Sequence, residues 1–188
     1  MSFAQRRKFL WILFLIGLAL IGVVVNATTL ARLRFDDMAR LATAVARVRC
    51  VNSAAFWKNG EIWTETQFLV EEESKGTLPR VVVIQTPGGI VGSLHSRVEE
   101  VPAFHSGEHA YVFLWQSPAG DYRLLGWSQG TFRIARDAES GAEYVTQDSA
   151  ATPLFDPLTR QFRRGGIRRM PIAAFQLKLR RALQRADR

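Results

Sequence analysis

The sequence predicts a mainly β protein: a small antiparallel barrel of the OB type, or a sandwich, of about seven strands with one helix at each end. Three observations support this. A long uncharged run near the amino terminus is typical of a transmembrane helix. Short apolar runs separated by Gly, Pro and Asn fill the middle of the chain, and an amphipathic helical pattern ends it.

The 188 residues are enough for one ordinary domain with an appendage. We divide them into an anchor with a basic tip (1–31), a helical connector (32–44), a β domain (45–150) and a basic tail that contains the amphipathic helix (151–188). The net charge of +8 resides at the two ends, because residues 28–152 carry 12 basic and 15 acidic side chains. A nucleic-acid partner is therefore not expected, since phosphate binding needs a basic face on the folded domain.

The amino-terminal run begins after Arg6, Arg7 and Lys8 and extends without a charge over 23 residues, Phe9–Ala31. As a helix it would span about 34 Å, enough to cross a bilayer core of about 30 Å. The preceding basic residues favour a cytoplasmic amino terminus. A cleaved signal peptide ending at Ala27 is the alternative. Both interpretations place the main domain outside the cytoplasm, on the periplasmic side of a single-pass membrane protein.

The β domain is predicted from strand-length runs separated by turn signals. The Asn59–Gly60 pair indicates a hairpin, and "IWTETQFLVEE" after it alternates with the period of two of a half-buried strand. The further strands are "AVARVRCV", "RVVVIQT", "AYVFLW", "YRLLGW", "TFRIAR" and "EYVT". Cys50 lies in the first of these, and as the only cysteine it forms no internal disulfide. We expect it to be a small buried apolar residue.

The basic tail contains a helix predicted to start at Pro171, with an apolar stripe of Ile172, Phe175, Leu179 and Leu183. Two roles fit this pattern. The helix packs on the β domain, or it lies at a membrane surface and contacts anionic lipid or an acidic protein. The candidate interaction residues are Arg163, Arg164, Arg168, Arg169, Lys178, Arg180 and Arg181.

The stretch "GWSQG" from Gly126 to Gly130 matches the G-x-S-x-G pattern of serine hydrolases. A nucleophile elbow needs a helix after the serine, whereas the residues that follow Ser128 alternate as a strand. We therefore predict a bulge or tight turn here and no catalytic residue. A hydrolase that uses Ser128 with one of the three histidines remains the alternative.

No cofactor or metal is expected. His105 and His109 flank Gly107 at the entry to a strand, so their imidazoles would not converge on zinc as they do on a helix. The loop that contains Gly88, Gly89 and Gly92 lacks the Lys-Ser/Thr pair of a phosphate-binding loop. These glycines are instead predicted to allow positive φ at a sheet corner.

Four stretches, "LVEEESKG", "VVVIQTPGGIVG", "VPAFHSGEHAYVFLW" and "GWSQGTFRI", resemble a family of bacterial exported or membrane-anchored β-barrel domains without an assigned activity. The resemblance covers roughly residues 40–136. The order of these elements is also similar, more distantly, to that of the netrin-like OB barrel in tissue inhibitors of metalloproteinases. It implies an exported location and marks the fold at Pro87, Gly88, Gly89, Gly107, Glu108, Gly126 and Gly130. Those inhibitors use a disulfide-tied amino-terminal cysteine, which this chain lacks, so their mechanism does not carry over.

These observations predict a non-catalytic, membrane-anchored extracytoplasmic β domain. Its expected role is protein interaction or envelope assembly, with the membrane and an envelope protein as partners. A serine hydrolase and a peptidase-inhibitor-like module are the alternatives. The inhibitor rests on fold analogy alone.

Overall fold

The structure, a computed structural model, describes residues 30–186. Nearly all of the predicted anchor (1–31) therefore lies outside the described residues. Within 30–186, no helix is both long and apolar enough to cross a bilayer.

Two α-helices and twelve strands make up the described chain. The helices are α1 (Phe35–Leu41) and α2 (Ile172–Ala186). The strands are β1 (Ala44–Lys58), β2 (Glu61–Lys75), β3 (Val81–Pro87), β4 (Gly89–Val91), β5 (Leu94–Ser96), β6 (His109–Gln116), β7 (Tyr122–Leu124), β8 (Thr131–Arg136), β9 (Glu143–Gln147), β10 (Leu154–Asp156), β11 (Gln161–Arg163) and β12 (Met170–Pro171). The connector prediction corresponds to α1, and the amphipathic helix to α2.

The main sheet is antiparallel in the order β12-β9-β8-β6-β1-β2-β3, and β7 also pairs with β6. Two separate hairpins, β4–β5 and β10–β11, complete the strands. The mainly β, antiparallel prediction is confirmed. The strand number was underestimated, because the five strands that were not predicted, β4, β5, β10, β11 and β12, have only two or three residues and show no periodicity.

The prediction of a closed barrel was wrong. β3 and β7 approach each other, but no backbone hydrogen bond joins them among the described residues. The physical reason is the length of β7: it has three residues, and the chain leaves the sheet at Leu125. No long edge therefore faces β3, and the sheet remains open.

The sheet buries both faces against different elements. On one face, Val45, Tyr111, Phe113, Phe132 and Val145 pack against α1 and α2. On the other face, residues of β1 and β6 pack against β2, β3 and Phe104. Both faces of β6 are therefore buried, which explains why β6 reads as a continuous apolar run.

The basic tail packs onto the β domain and adds a strand to the main sheet. Met170 pairs with Val145, and Phe175, Leu179, Ala182 and Leu183 of α2 are buried. The apolar stripe of α2 is thus part of the core. The described structure leaves the outward face of this helix, which is mostly polar and includes the exposed Leu177, for a lipid or protein partner.

Candidate functional site

Ser128 lies in a 3-10 turn, Trp127–Gly130, between β7 and β8. Its hydroxyl donates to the carboxylate of Glu100, and its amide donates to the Glu100 carbonyl at 3.0 Å. The side chain is 5% exposed. A strand, not a helix, follows the turn, so the predicted bulge at this position is confirmed. In the described chain the Ser128 hydroxyl pairs with a carboxylate rather than with an imidazole.

The two glycines of this turn are required by geometry. Gly126 has a φ of 62°, and a Cβ there would lie 2.7 Å from Leu33 Cδ1. At Gly130 a Cβ would overlap the carbonyl oxygen of Leu125. β7 and β8 pair with β6 on either side of a single β6 residue, Phe113, and the turn lies between them. The Phe113 carbonyl accepts a hydrogen bond from the Leu125 amide at 2.8 Å. This is an extended bulge.

Pro87, Gly88 and Gly89 lead the chain from β3 into the β4–β5 hairpin. Gly88 has a φ of 93°, its amide donates to the Ile62 carbonyl at 2.8 Å, and a Cβ would lie 2.8 Å from the Ser96 carbonyl oxygen. The hairpin thereby packs against the end of β1 and β2. Gly88 and Gly89 have positive φ, as predicted from the sequence, and both also lie in close contact with neighbouring segments.

Two grooves flank the β4–β5 hairpin, with volumes of about 490 and 420 Å³. They share Pro87, Gly88 and three residues of the hairpin and its exit. Trp57 and Leu94 line the smaller groove, and Ile90 lines the larger. These three side chains are 52%, 55% and 59% exposed, so large apolar groups face solvent here.

Glu108 belongs to a different site, centred on Arg133 of β8, and the amide of the preceding Gly107 donates to the Cys50 carbonyl at 2.8 Å. The Arg133 guanidinium donates to Glu108 at 2.5 Å, to both carboxylate oxygens of Asp148 at 3.0 Å and to the Ala103 carbonyl at 2.6 Å. It also stacks 4.0 Å from the centroid of Phe104. Protein groups thus engage all three guanidinium nitrogens and one face of the guanidinium plane, which indicates a structural role.

The carboxylates of this site have opposite pKa shifts. Burial raises the pKa of Asp148, and the hydrogen bonds and charge of Arg133 reverse only part of that effect. Burial also acts on Glu108, but hydrogen bonds from His105 and the charge of Arg133 outweigh it and lower its pKa.

The histidines do not converge on a metal. His105 Nδ1 lies 3.1 Å from Glu108, and His109 Nδ1 lies 3.1 Å from Glu71, which also pairs with Arg47 at 3.2 Å. Within 30–186 no group of three metal-ligating side chains is found. Cys50 is fully buried as predicted, and burial raises the pKa of its thiol.

No family model matches the chain, and no curated protein or solved structure matches it. The resemblance to exported β-barrel domains therefore stays a prediction.

The predicted interaction residues of the tail do not form one surface. Arg169 pairs with Asp137 at 2.5 Å and stacks 4.5 Å from the Tyr144 ring, and Arg168 donates to the Ala150 carbonyl at 2.6 Å. Arg163 and Arg164 are exposed at β11 and just after it, and Arg180 and Arg181 are exposed on α2. Of the seven, Arg168 and Lys178 line one cavity, together with Arg32 and Arg34 of the chain entry.

Arg133, Arg32 and Arg34 were not among the predicted site residues. Arg133 stands between Phe132 and Ile134 in a strand that looked half-exposed, and its partners are 15 and 25 positions away in sequence. An arginine flanked by apolar residues of a short strand was the available signal. Arg32 and Arg34 stand just after the apolar run Phe9–Ala31, where basic residues commonly flank a membrane segment.

Proposed function

We propose that the protein is a non-catalytic, membrane-anchored extracytoplasmic module that docks a protein of the cell envelope through the surface around the β4–β5 hairpin. The observation that carries this proposal is the group of exposed apolar side chains there, Trp57, Ile90 and Leu94. Exposed aromatic and aliphatic side chains beside grooves are typical of protein-binding sites.

The position of this surface fits an anchored module. Residue 30, where the described chain begins, lies beside β10, since the Arg32 amide donates to the Phe155 carbonyl at 2.8 Å. α1 then leads directly into the start of β1. The docking surface lies at the other end of β1, which has 15 residues and extends about 45 Å at 3.3 Å per residue. An anchor at the chain entry would hold that surface away from the bilayer.

The ionisable side chains support a non-catalytic role. Arg133, Arg47 and Arg169 bind carboxylates that join separate strands and loops, and Ser128 hydrogen-bonds to Glu100. The histidines beside these groups pair with Glu108 and Glu71. These contacts are of the kind that hold a fold together. The exported-domain resemblance, including its distant likeness to netrin-like OB domains, points the same way and is part of the proposal.

The proposed location predicts the behaviour of a reporter fused to the carboxyl terminus. An enzyme that is active only outside the cytoplasm should be active in this fusion, because Arg6, Arg7 and Lys8 favour a cytoplasmic amino terminus. The same reporter fused to residues 30–188, which lack the apolar run, is the control and should be inactive. An inactive full-length fusion together with an active cytoplasmic reporter would overturn the location.

The docking surface predicts a photo-crosslink. A photo-reactive amino acid at position 94 of the full chain should give a single major adduct with one envelope protein, because Leu94 lines a groove of about 420 Å³. The substitution Trp57→Glu in the same chain should reduce that adduct about tenfold, since a charge would enter the apolar interface. The photo-reactive group at Glu139, in the exposed β8–β9 turn, is the matched control.

A second control is Leu158→Glu, which places the same charge on an exposed apolar side chain near the chain entry. It should leave the adduct at position 94 unchanged. Equal adducts at positions 94 and 139, or equal losses from both charge substitutions, would contradict a docking surface at the β4–β5 hairpin.

A further inference from the structure

A basic cavity lies where the described chain begins. Its volume is about 620 Å³, and its walls are the entry segment, the loop that precedes β12 and the middle of α2. Four cations line it: Arg32, Arg34, Arg168 and Lys178. In the part of the chain that the structure describes, none of the four forms an ion pair. The one carboxylate in the lining, Asp36, pairs with Arg185 at 2.8 Å.

Uncharged hydrogen-bond donors line the same cavity. The Ser149 hydroxyl is buried, and no partner for it is found within 30–186. The amides of the half-buried Gly165 and the exposed Gly166, in the loop before β12, also donate to no described backbone or side-chain acceptor. Buried donors without acceptors are uncommon in folded proteins. Here the buried Ser149 hydroxyl accompanies four cations without carboxylate partners, and a bound anion would supply an acceptor for all of them.

We propose that this cavity binds a phosphate-bearing anion. Arginine guanidinium groups match the oxygen geometry of a phosphate, and lysine adds a point charge. Free backbone amides at glycines approach such an anion closely, as in other phosphate sites. Arg168 already donates to the Ala150 carbonyl, so Arg32, Arg34 and Lys178 are the cations with most of their donors free.

The surroundings of the cavity favour the headgroup of an anionic phospholipid as the source of the phosphate. A second cavity of about 520 Å³ shares Arg32 and Arg34 and is also lined by Leu158 and by two carboxylates. Of these, Asp37 pairs with Arg40, and Asp156 accepts the amides of the β10–β11 turn. Leu158 and Phe162 of the β10–β11 hairpin are 81% and 62% exposed, and Arg160, Arg163 and Arg164 lie beside them. Exposed apolar side chains among arginines are typical of a membrane interface. This assignment of the source rests on the membrane attachment proposed above, whereas the phosphate chemistry does not.

The test titrates the full chain, purified in nonionic detergent, with soluble probes followed by calorimetry. The probes are dihexanoylphosphatidylglycerol, dihexanoylphosphatidylcholine and inorganic phosphate. We expect the anionic lipid to bind more tightly than the zwitterionic one. The double variant Arg34→Gln with Lys178→Gln should weaken that binding at least tenfold, and Arg34→Gln alone, at an exposed position, should weaken it about threefold.

The matched control is the double variant Arg180→Gln with Arg181→Gln, which removes the same charge from exposed positions of α2 outside the cavity. It should change the affinity less than twofold. Binding of the lipid but not of inorganic phosphate would support the site and assign the phosphate to a lipid. Binding of inorganic phosphate alone would support the site and assign it to a free anion.

The proposal is overturned if neither the anionic lipid nor inorganic phosphate binds the wild type, or if the control variant weakens binding as much as the cavity variant. Because the titration depends neither on the orientation of the chain nor on the β4–β5 surface, its failure is distinguishable from failure of the reporter or crosslinking experiments.

Discussion

Replacement of Arg133 by methionine is expected to lower the free energy of unfolding at pH 7 by about 3–5 kcal/mol. The reason is the carboxylate that remains. The Asp148 side chain is one-fifth exposed and loses a guanidinium that contacts both of its oxygens at 3.0 Å. The Glu108 carboxylate and the Ala103 carbonyl also lose a donor. Urea unfolding of the full chain in nonionic detergent, followed by circular dichroism, measures the effect.

The pH dependence of this variant has a defined sign. The pKa of Asp148 is raised in the folded protein by burial, so its contribution to stability is complete below its unfolded pKa and is lost as the pH rises through the folded value. Removal of Arg133 raises that folded pKa further. The pKa of Glu108 is lowered, so its contribution is lost as the pH falls, and Arg133 is one cause of that contribution. Both effects make the difference between wild type and variant shrink as the pH falls from 7 toward 4.

A second substitution separates charge from packing. Arg133→Met combined with Asp148→Asn should be less destabilised at pH 7 than Arg133→Met alone, because no buried charge is left without its partner. Two results would contradict the structural role of Arg133: a loss below about 1 kcal/mol at pH 7, or a deficit that grows on acidification.

Replacement of Phe175 by alanine should cost about 3–5 kcal/mol of unfolding free energy. Phe175 is fully buried in α2, and its ring centroid lies 4.9 Å from that of Tyr111, 5.2 Å from that of Phe132 and 5.9 Å from that of Phe35. It is therefore the aromatic side chain through which α2 and α1 contact the same face of the sheet. Truncation would remove these contacts and leave a cavity between helix and sheet.

Phe162→Ala is the matched control, since this ring is exposed on the β10–β11 hairpin. Its effect should stay within about 0.5 kcal/mol. The same urea unfolding measures both variants. If Phe175→Ala unfolded at nearly the same urea concentration as the control, α2 would not be an integral part of the core.

Local sequence patterns were sufficient where one segment carries its own signal. The alternation after Asn59–Gly60 predicted β2, and its buried residues Ile62, Thr66 and Phe68 lie on the predicted face. The strand that follows Ser128 predicted a bulge in place of a nucleophile elbow, because a period of two is incompatible with a helix. The amphipathic stripe of α2 was equally visible, since its period is a property of the helix alone.

Sequence patterns were insufficient where distant segments meet. The β4 and β5 strands are too short for a period, and closure of the sheet depends on the edges that β3 and β7 present to each other. The carboxylates that pair with Arg133 lie 15 and 25 residues away in sequence. The residue type alone therefore did not show whether Arg133 is a solvated charge or part of a structural ion pair.

The sequence by itself determined the mainly β class, the antiparallel hairpins, the turn at "GWSQG" and the existence of α2, since each depends on backbone preferences and side-chain periodicity within a few neighbouring residues. Only the tertiary structure decided that the sheet stays open and that the apolar stripe of α2 belongs to the core. It also brought Arg32, Arg34 and Lys178 to one cavity, although Lys178 follows them by more than 140 residues. The physical reason is that burial and charge proximity are properties of packed surfaces, and the residues that make such surfaces are brought together by the fold.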